Sequence, residues 1–381
     1  MKERVDLHLH LDGKSNKENV IRALKKAEAD GCKKICLLEH NNYVVDPILE
    51  LIEDGSIKKY YTGDLVFGCE YDNLIDAHHI NDDGTCYDNY VSHILVYLPY
   101  EDLVRILKNK KLHARDVRKD YIEDYKKIIQ KIAEVDKNLP IPSIQELHSM
   151  DLGHIGRDLH KWINSDQERK ALYQKTLQVE SRVIDYPSDF IRNLMQHPNG
   201  KLFYKPENVL YSSELFEEIR KNTKNAKMVL AHPAYMQSTF TMENYVQTMM
   251  TFQNSLNVKG FDGMEVCYYL NTKKQQDYLE DYANKNNLLQ TAGSDSIKIE
   301  GEMYFLRDNN KFFFVPIFGN ALGTSYDIGN VEVTDKEDRK VLEVVRGGSP
   351  LVAEEDLFED IIINEKEIRK QLVKKNCGRE L

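Results

Sequence analysis

The sequence predicts an α/β fold, a (β/α) barrel that carries a helical insertion. Three observations lead there. Short apolar runs of β type alternate with helical patterns over residues 1–100. The strand signals thin out after Tyr100, where charged helical segments take over, and the βα rhythm returns from Lys227. A length of 381 residues exceeds a typical single domain but suits one barrel with an insertion.

Taken in order, Val5-Asp6-Leu7-His8-Leu9-His10 alternates as a first strand. Residues 19–29 place Val20, Ala23, Leu24 and Ala27 at helical spacing, and Gly31 stops that helix. Residues 34–38, 65–69 and 92–98 read as three further strands, with a turn-rich stretch at Asp82-Asp83-Gly84 before the last. Residues 118–137 and 167–182 are the clearest helices of the insertion, and prolines at 140, 142, 187, 198 and 206 break it. Strands resume at residues 227–231, 263–267 and 288–292, with a polar helix over 272–284 suited to an outer barrel surface. Beyond Glu300, Tyr304-Phe305 and Phe312-Phe313-Phe314 flank Asp308-Asn309-Asn310 as a hairpin, and acidic helical residues follow. The expected organisation is a barrel from 1–100 and 200–300, a helical insertion at 101–199 and a C-terminal extension at 301–381.

Composition narrows the function classes. The 41% apolar content is spread in short segments, and no run of about 20 uncharged residues suggests a membrane-spanning helix. Met1 is followed by Lys-Glu-Arg with no apolar stretch and no small-residue cleavage site, so export is not expected and a cytoplasmic location is. The cysteines (Cys32, Cys36, Cys69, Cys86, Cys267 and Cys377) include no CxxC pair, and buried reduced thiols are the expected state. A net charge of −10 argues against a broad nucleic-acid-binding surface. It does not exclude an anionic substrate, because bound cations can make a cleft locally positive.

The informative pattern is where metal-ligand residue types sit relative to the strands. His8 and His10 are two apart on one strand, so their imidazoles leave the same face and can converge on one ion. His40 and Glu70 end the second and third strands, His93 lies at the start of the fourth, His232 follows Val229-Leu230-Ala231, and Asp295 follows the last strand. In a parallel barrel the C-terminal strand ends form one rim, where these side chains could meet. A lone strand-end histidine is usually a hydrogen-bonded or surface residue, and Glu70 alone would more often be a cap or salt-bridge partner. Repetition at one strand boundary after another is poorly explained by chance. His78, His79, His113, His148, His154, His160 and His197 fall in loops or helices and read mostly as surface residues. Mixed imidazole and carboxylate ligands suit zinc, iron, nickel or manganese without choosing among them.

These residues resemble, in chain order, the motifs of the PHP (polymerase and histidinol phosphatase) family of metal-dependent phosphoesterases. Asp6-Leu7-His8-Leu9-His10 is similar to its D-x-H-x-H opening, Leu38-Glu39-His40-Asn41 to T-D-H, Gly68-Cys69-Glu70 to G-x-E and His93-Ile94-Leu95 to H-x-L. Ala231-His232-Pro233 is similar to A-H-P and Gly293-Ser294-Asp295 to G-S-D-x-H. Phe261-Asp262-Gly263-Met264-Glu265-Val266, with Leu288-Leu289 before the G-S-D, looks nearest the branch of nucleotide phosphatases and a 5′–3′ exoribonuclease. The resemblance covers roughly residues 4–100 and 200–300.

It implies a distorted (β/α)₇ barrel, two or three divalent ions (manganese, zinc or iron) held by His8, His10, His40, Glu70, His93, His232 and Asp295, and hydrolysis of a phosphoester. The substrate would be a phosphorylated small molecule such as a nucleotide, or a nucleic-acid end. Gly156-Arg157 resembles the branch's Gly-Arg signature, which makes Arg157 a candidate phosphate clamp beside its plain reading as an exposed insertion arginine. Three departures stand out: Glu39 replaces the family's aspartate, Ile297 its final histidine, and the loop after His10 is shortened so that Asp12 stands in as a candidate ligand. They predict a robust pair of ions and a weakened third. Two other readings remain at this stage: an adenosine-deaminase-type amidohydrolase, whose opening His8-Leu9-His10-Leu11-Asp12-Gly13 resembles, and a degenerate barrel that binds a phosphorylated ligand or a partner.

Overall fold

A computed structural model describes residues 2–11, 15–75, 79–80, 86–87, 90–109, 111–112, 117–148, 155–196, 199–204, 209–234, 241–268, 271–295, 302–306, 311–315 and 351–377. The chain forms two compact units, one from residues 1–72, 93–113 and 216–381, the other from residues 73–92 and 114–215.

The first unit is built on strands β1 (Lys2–Leu9), β2 (Lys34–Glu39), β3 (Asp64–Ile75), β4 (Tyr90–Leu98), β5 (Lys227–Leu230), β6 (Gly263–Tyr268), β7 (Leu289–Gly293) and β8 (Val352–Glu354). They lie in the order β7-β6-β5-β4-β3-β2-β1-β8. The central strands are buried almost throughout, as strands covered on both faces must be; β6 is buried at every position. Helices Lys17–Ala29 and Lys273–Lys285 follow β1 and β6 in sequence. The first is capped by Asn16, the second by a Thr272–Gln275 capping box.

The sheet nearly closes on itself. Beyond β7, Asp295 N donates to the His8 carbonyl at 2.6 Å and Ser294 N to Asp6 Oδ1 at 3.0 Å, which brings β7 beside β1. The pairing of β1 with β2 shifts register between Asp6 and Leu9, and that of β6 with β7 shifts between Glu265 and Cys267. Such bulges re-aim side chains, and both fall beside the residues described below.

One feature departs from the parallel barrel expected from sequence. β4 runs antiparallel to β5, with Ile94 opposite Leu230 and Val96 opposite Met228. The segment after Glu300 also contributes to the sheet, because β8 pairs antiparallel with Lys2, Glu3 and Arg4 of β1. Strands Glu302–Leu306 and Lys311–Val315 form the expected hairpin.

The second unit is helical and has its own core, in which Ile132, Leu159, Ile163, Tyr173 and Leu177 are fully or almost fully buried. The helix read over residues 167–182 ends earlier, at Gln167–Leu177, because Gln178 adopts a left-handed conformation (φ 53°) and turns the chain into a separate helix, Ser181–Asp185. No helix among the described residues is long and apolar enough to cross a membrane. Cys32, Cys36, Cys69 and Cys267 are buried free thiols.

Candidate metal centre

Glu70 lies at the centre of the first unit, on β3, with its carboxylate fully buried. Oε2 is 3.2 Å from His8 Nε2, 3.0 Å from His10 Nε2 and 3.4 Å from His40 Nε2; Oε1 is 2.8 Å from His93 Nδ1 and 3.2 Å from His232 Nε2. Asp295 adds a second carboxylate, with Oδ1 3.4 Å from His8 Nε2 and 3.3 Å from His10 Nε2, and Oδ2 3.8 Å from His232 Nε2. Side chains spread from residue 8 to residue 295 thus converge on one point.

The topology explains how each arrives. His8 and His10 leave the same side at the end of β1. His40 directly follows β2 and bridges to Glu70, and Asn41 N donates to the Glu70 carbonyl at 2.6 Å. His93 would lie at the far end of the barrel were β4 parallel. Because β4 is reversed, its early residues meet the late residues of β5, and Ala231 N donates to the His93 carbonyl at 3.3 Å. Asn41, His232 and Asp295 have positive φ (55°, 24° and 49°), a left-handed region that costs a non-glycine residue about 1–3 kcal/mol and that clusters at functional sites.

The donors fall into two groups that share Glu70. His8, His10, Glu70 and Asp295 each offer an atom, all within 4.8 Å of one another, and His40, Glu70 and His93 do the same. In the first group His8, His10 and Glu70 are buried and Asp295 is 20% exposed; in the second, the His40 and His93 side chains are 45% and 22% exposed. His8 Nε2, His10 Nε2 and Glu70 Oε2 are buried and crowd together at 3.0–3.2 Å without an aligned hydrogen bond among the described residues. Leaving such atoms unsatisfied is expensive, and together they fit a divalent cation. The donor set, imidazole and carboxylate without thiolate, fits zinc, iron or manganese.

Electrostatics points the same way. Burial alone would lower the pKa of His10, but the carboxylates of Asp295 and Glu70 outweigh it and carry the pKa up to about 10. His93 is raised to about 9 against the same opposition from burial, chiefly by Glu70, and His8 is raised by Glu70, Glu265 and Asp295. Burial opposes ionisation of Asp295, yet His8 and His10 hold it down at about 2. So much apposed negative charge demands cations, either protons on the imidazoles or metal ions in their place.

Three acidic residues support this cluster and were not picked out as site residues from sequence. Glu265 on β6 accepts the backbone N–H of His232 at 2.7 Å and lies 3.3 Å from His8 Nδ1. Asp72 contacts His40 and His93 at 2.9 and 3.3 Å. Asp6 accepts from His8 N and Ser294 N at 3.2 and 3.0 Å, and burial raises its carboxyl to about 7. Strand alternation carried a signal for two of them, since Asp6 shares a face with His8, and Asp72 with Glu70.

Asp12 and Ile297 lie outside the described residues. Arg157 is exposed on the helix Ile155–Asn164 of the second unit. His160, grouped with surface histidines in the sequence reading, is instead buried there, with Nε2 2.9 Å from the Ile184 carbonyl.

No protein-family model matches the sequence. The UDP-N-acetylmuramate–L-alanine ligase of Desulforamulus reducens is 23% identical over 301 residues, 76% of this chain and 56% of that protein, so the chain spans little more than half of this relative's length. A solved structure described as a candidate metal-dependent phosphoesterase, from Bifidobacterium adolescentis, is similar with a TM-score of 0.46 and 14% identity, covering 90% of this chain and 96% of that one. An amidohydrolase from Chromobacterium violaceum, solved with sulfate and no metal, is similar with a TM-score of 0.48 and 13% identity, covering 83% of this chain and 93% of that one.

Proposed function

We propose that the chain is a metal-dependent hydrolase that cleaves phosphoesters. The observation that carries the reading is Glu70, one buried carboxylate within 3.4 Å of a nitrogen from each of His8, His10, His40, His93 and His232 and shared by two groups of donors. Glu70, with the donors of both groups around it, would hold two divalent ions. Divalent ions in such a centre supply a Lewis acid that lowers the pKa of water to near neutrality and offsets charge on a transferring phosphoryl group. The chain's own part is to hold the donors at fixed separations and to keep one side dry. His8 and His10 form the closed side, and Asp295, His40 and His93 the side open to an incoming substrate.

The order of the motifs supports the PHP reading, and with it a nucleotide, another phosphorylated small molecule or a nucleic-acid end as substrate. Arg157 belongs to this reading as a phosphate clamp.

The test is a phosphate-release screen of purified protein with manganese, zinc and iron. Its substrates are nucleotides, oligonucleotide ends, sugar phosphates, histidinol phosphate and a phosphotyrosine peptide, with bound metal measured alongside. Turnover in one class, about two ions per chain, and loss of turnover in folded His8→Ala and Asp295→Ala support the proposal. Ammonia release from purine nucleosides without phosphate release points to a deaminase instead. Substoichiometric metal and no turnover point to a barrel that only binds.

A further inference from the structure

We infer that Asp72 is a positioning residue of the open cation position, fixing which nitrogens of His40 and His93 face the ions. The inference rests on the metal-dependent reading above and concerns a residue to which the motifs give no role. Glu70 and Asp72 are two apart on β3, so their carboxylates leave the same face of the strand. Between them hang two imidazoles. His40 places Nδ1 2.9 Å from Asp72 Oδ1 and Nε2 3.4 Å from Glu70 Oε2, whereas His93 places Nε2 3.3 Å from Asp72 Oδ1 and Nδ1 2.8 Å from Glu70 Oε1.

A neutral imidazole has one N–H and one lone pair, and an ionised carboxylate only accepts. Once cations replace the protons between these rings and Glu70, Asp72 would take the one N–H left on each ring and leave both lone pairs facing the ions. The two rings are held in opposite tautomers, His40 protonated on Nδ1 and His93 on Nε2, and one shared oxygen imposes both. Asn41 clamps the other end: its Nδ2 donates to Asp72 Oδ2 at 2.5 Å, and its Oδ1 accepts the Asp72 backbone N–H at 3.1 Å. Carboxylates that orient ligating histidines in this way typically contribute about 10- to 100-fold in metal affinity. In the closed group, Glu265 stands in the same relation to His8 Nδ1.

Manganese binding to the full chain, counted by electron paramagnetic resonance of free ion, tests this in wild type, Asp72→Ala and Asp72→Asn. The expected result is about two ions in wild type. Asp72→Ala should keep one at unchanged affinity and bind the second about 10- to 100-fold more weakly. Asp72→Asn, which retains one acceptor oxygen, should fall between. In zinc-loaded protein with ¹⁵N-labelled histidine, the His40 Nδ1–H and His93 Nε2–H signals should be present in wild type and lost in Asp72→Ala, a change that a general loss of stability would not produce. Two ions bound with wild-type affinity in Asp72→Ala overturns the assignment, as does loss of both ions in a variant with unchanged circular dichroism. Should Asp72→Ala not fold, wild-type affinity for the second ion in Asp72→Asn overturns it equally. Wild type that binds no manganese, zinc or iron removes the metal reading itself, a different failure.

Discussion

Gly293 passes so close to His8 that a methyl group on its Cα would overlap both the Cβ of His8 and Oε1 of Glu265. This glycine answers a close approach and not a turn: it ends β7 where the sheet closes, one residue before Ser294 N binds Asp6 and two before Asp295 N binds the His8 carbonyl. Gly293→Ala must push β7 off β1 and move Asp295 away from His8 and His10. Overpacking of this kind costs about 1–3 kcal/mol. The expected outcome is a lower thermal midpoint together with weaker binding at the closed metal position, measured by calorimetry and metal competition. An unchanged midpoint with unchanged affinity would show that the strands can part freely at this seam.

The same seam shows what the sequence makes legible. All seven strands expected from short apolar runs are present, β1 to β7, because each run is long enough to span a sheet and is bounded by turn residues or by the polar residues that became the site. The direction of β4 was not legible. A strand buried on both faces has the same apolar pattern read either way, so only pairing with β5 reveals that His93 sits at the correct end. β8 is three residues long and leaves no periodicity to read. Asp6, Asp72 and Glu265 were missed because a carboxylate inside a strand pattern reads as a solvent-facing position until the sheet curves around it. Beyond the local His8 N that Asp6 also accepts, the donors that tie them to the site lie far away in sequence: Ser294 for Asp6, His232 for Glu265.

Glu265 offers the most direct test of that support. It accepts the His232 backbone N–H and faces His8 Nδ1, which fixes His8 Nε2 toward Glu70 and Asp295. Glu265→Gln keeps an acceptor for His232, but an amide N–H₂ facing His8 cannot take its proton. Affinity for zinc should fall about 10- to 100-fold, measured against a chelator, with a modest change in melting. Glu265→Ala also strands the buried His232 N–H and should cost a further 1–3 kcal/mol, roughly, in stability. Equal zinc affinity in wild type and Glu265→Gln would remove Glu265 from the centre's support.

Away from the site, Gln178 closes the helix Gln167–Leu177 at φ 53°, ψ 48°, with its N–H on the Gln174 and Lys175 carbonyls. The left-handed conformation strains any residue with a Cβ, and glycine is the usual occupant of such a cap. Its side chain is exposed and loses nothing on removal. Gln178→Gly should stabilise the helical unit by about 0.5–1 kcal/mol, the relief of strain exceeding the added chain entropy. Denaturant unfolding followed by fluorescence of Trp162, the sole tryptophan and a member of this unit's core, reports it directly. A destabilised variant would mean that the Gln178 side chain contributes a contact of its own.

The pH dependence of the ion-free protein should be the reverse of what metal binding requires. In the folded chain His10 titrates at about 10 and His93 at about 9, each held up by Glu70 and, for His10, by Asp295, against the opposing effect of burial. Unfolded, both return to about 6.5. A raised folded pKa stabilises fully below the unfolded value and is lost as pH climbs through the folded one. The ion-free melting midpoint should therefore fall steadily between about pH 6.5 and 10. On the acid side Asp295, depressed to about 2 by His8 and His10 despite its burial, contributes above its unfolded value and fails only as pH drops through about 2. A metal ion competes with the same protons, so metal affinity should rise across the alkaline window in which the ion-free fold weakens, and binding at neutral pH should release protons. Calorimetric titration of zinc in buffers of different ionisation enthalpy counts them, and scanning calorimetry with and without zinc follows the midpoints. Proton release of zero, together with an ion-free midpoint that is flat from pH 6.5 to 10, would mean that the imidazoles are already neutral and that the carboxylates, not the histidines, carry the charge balance of this centre.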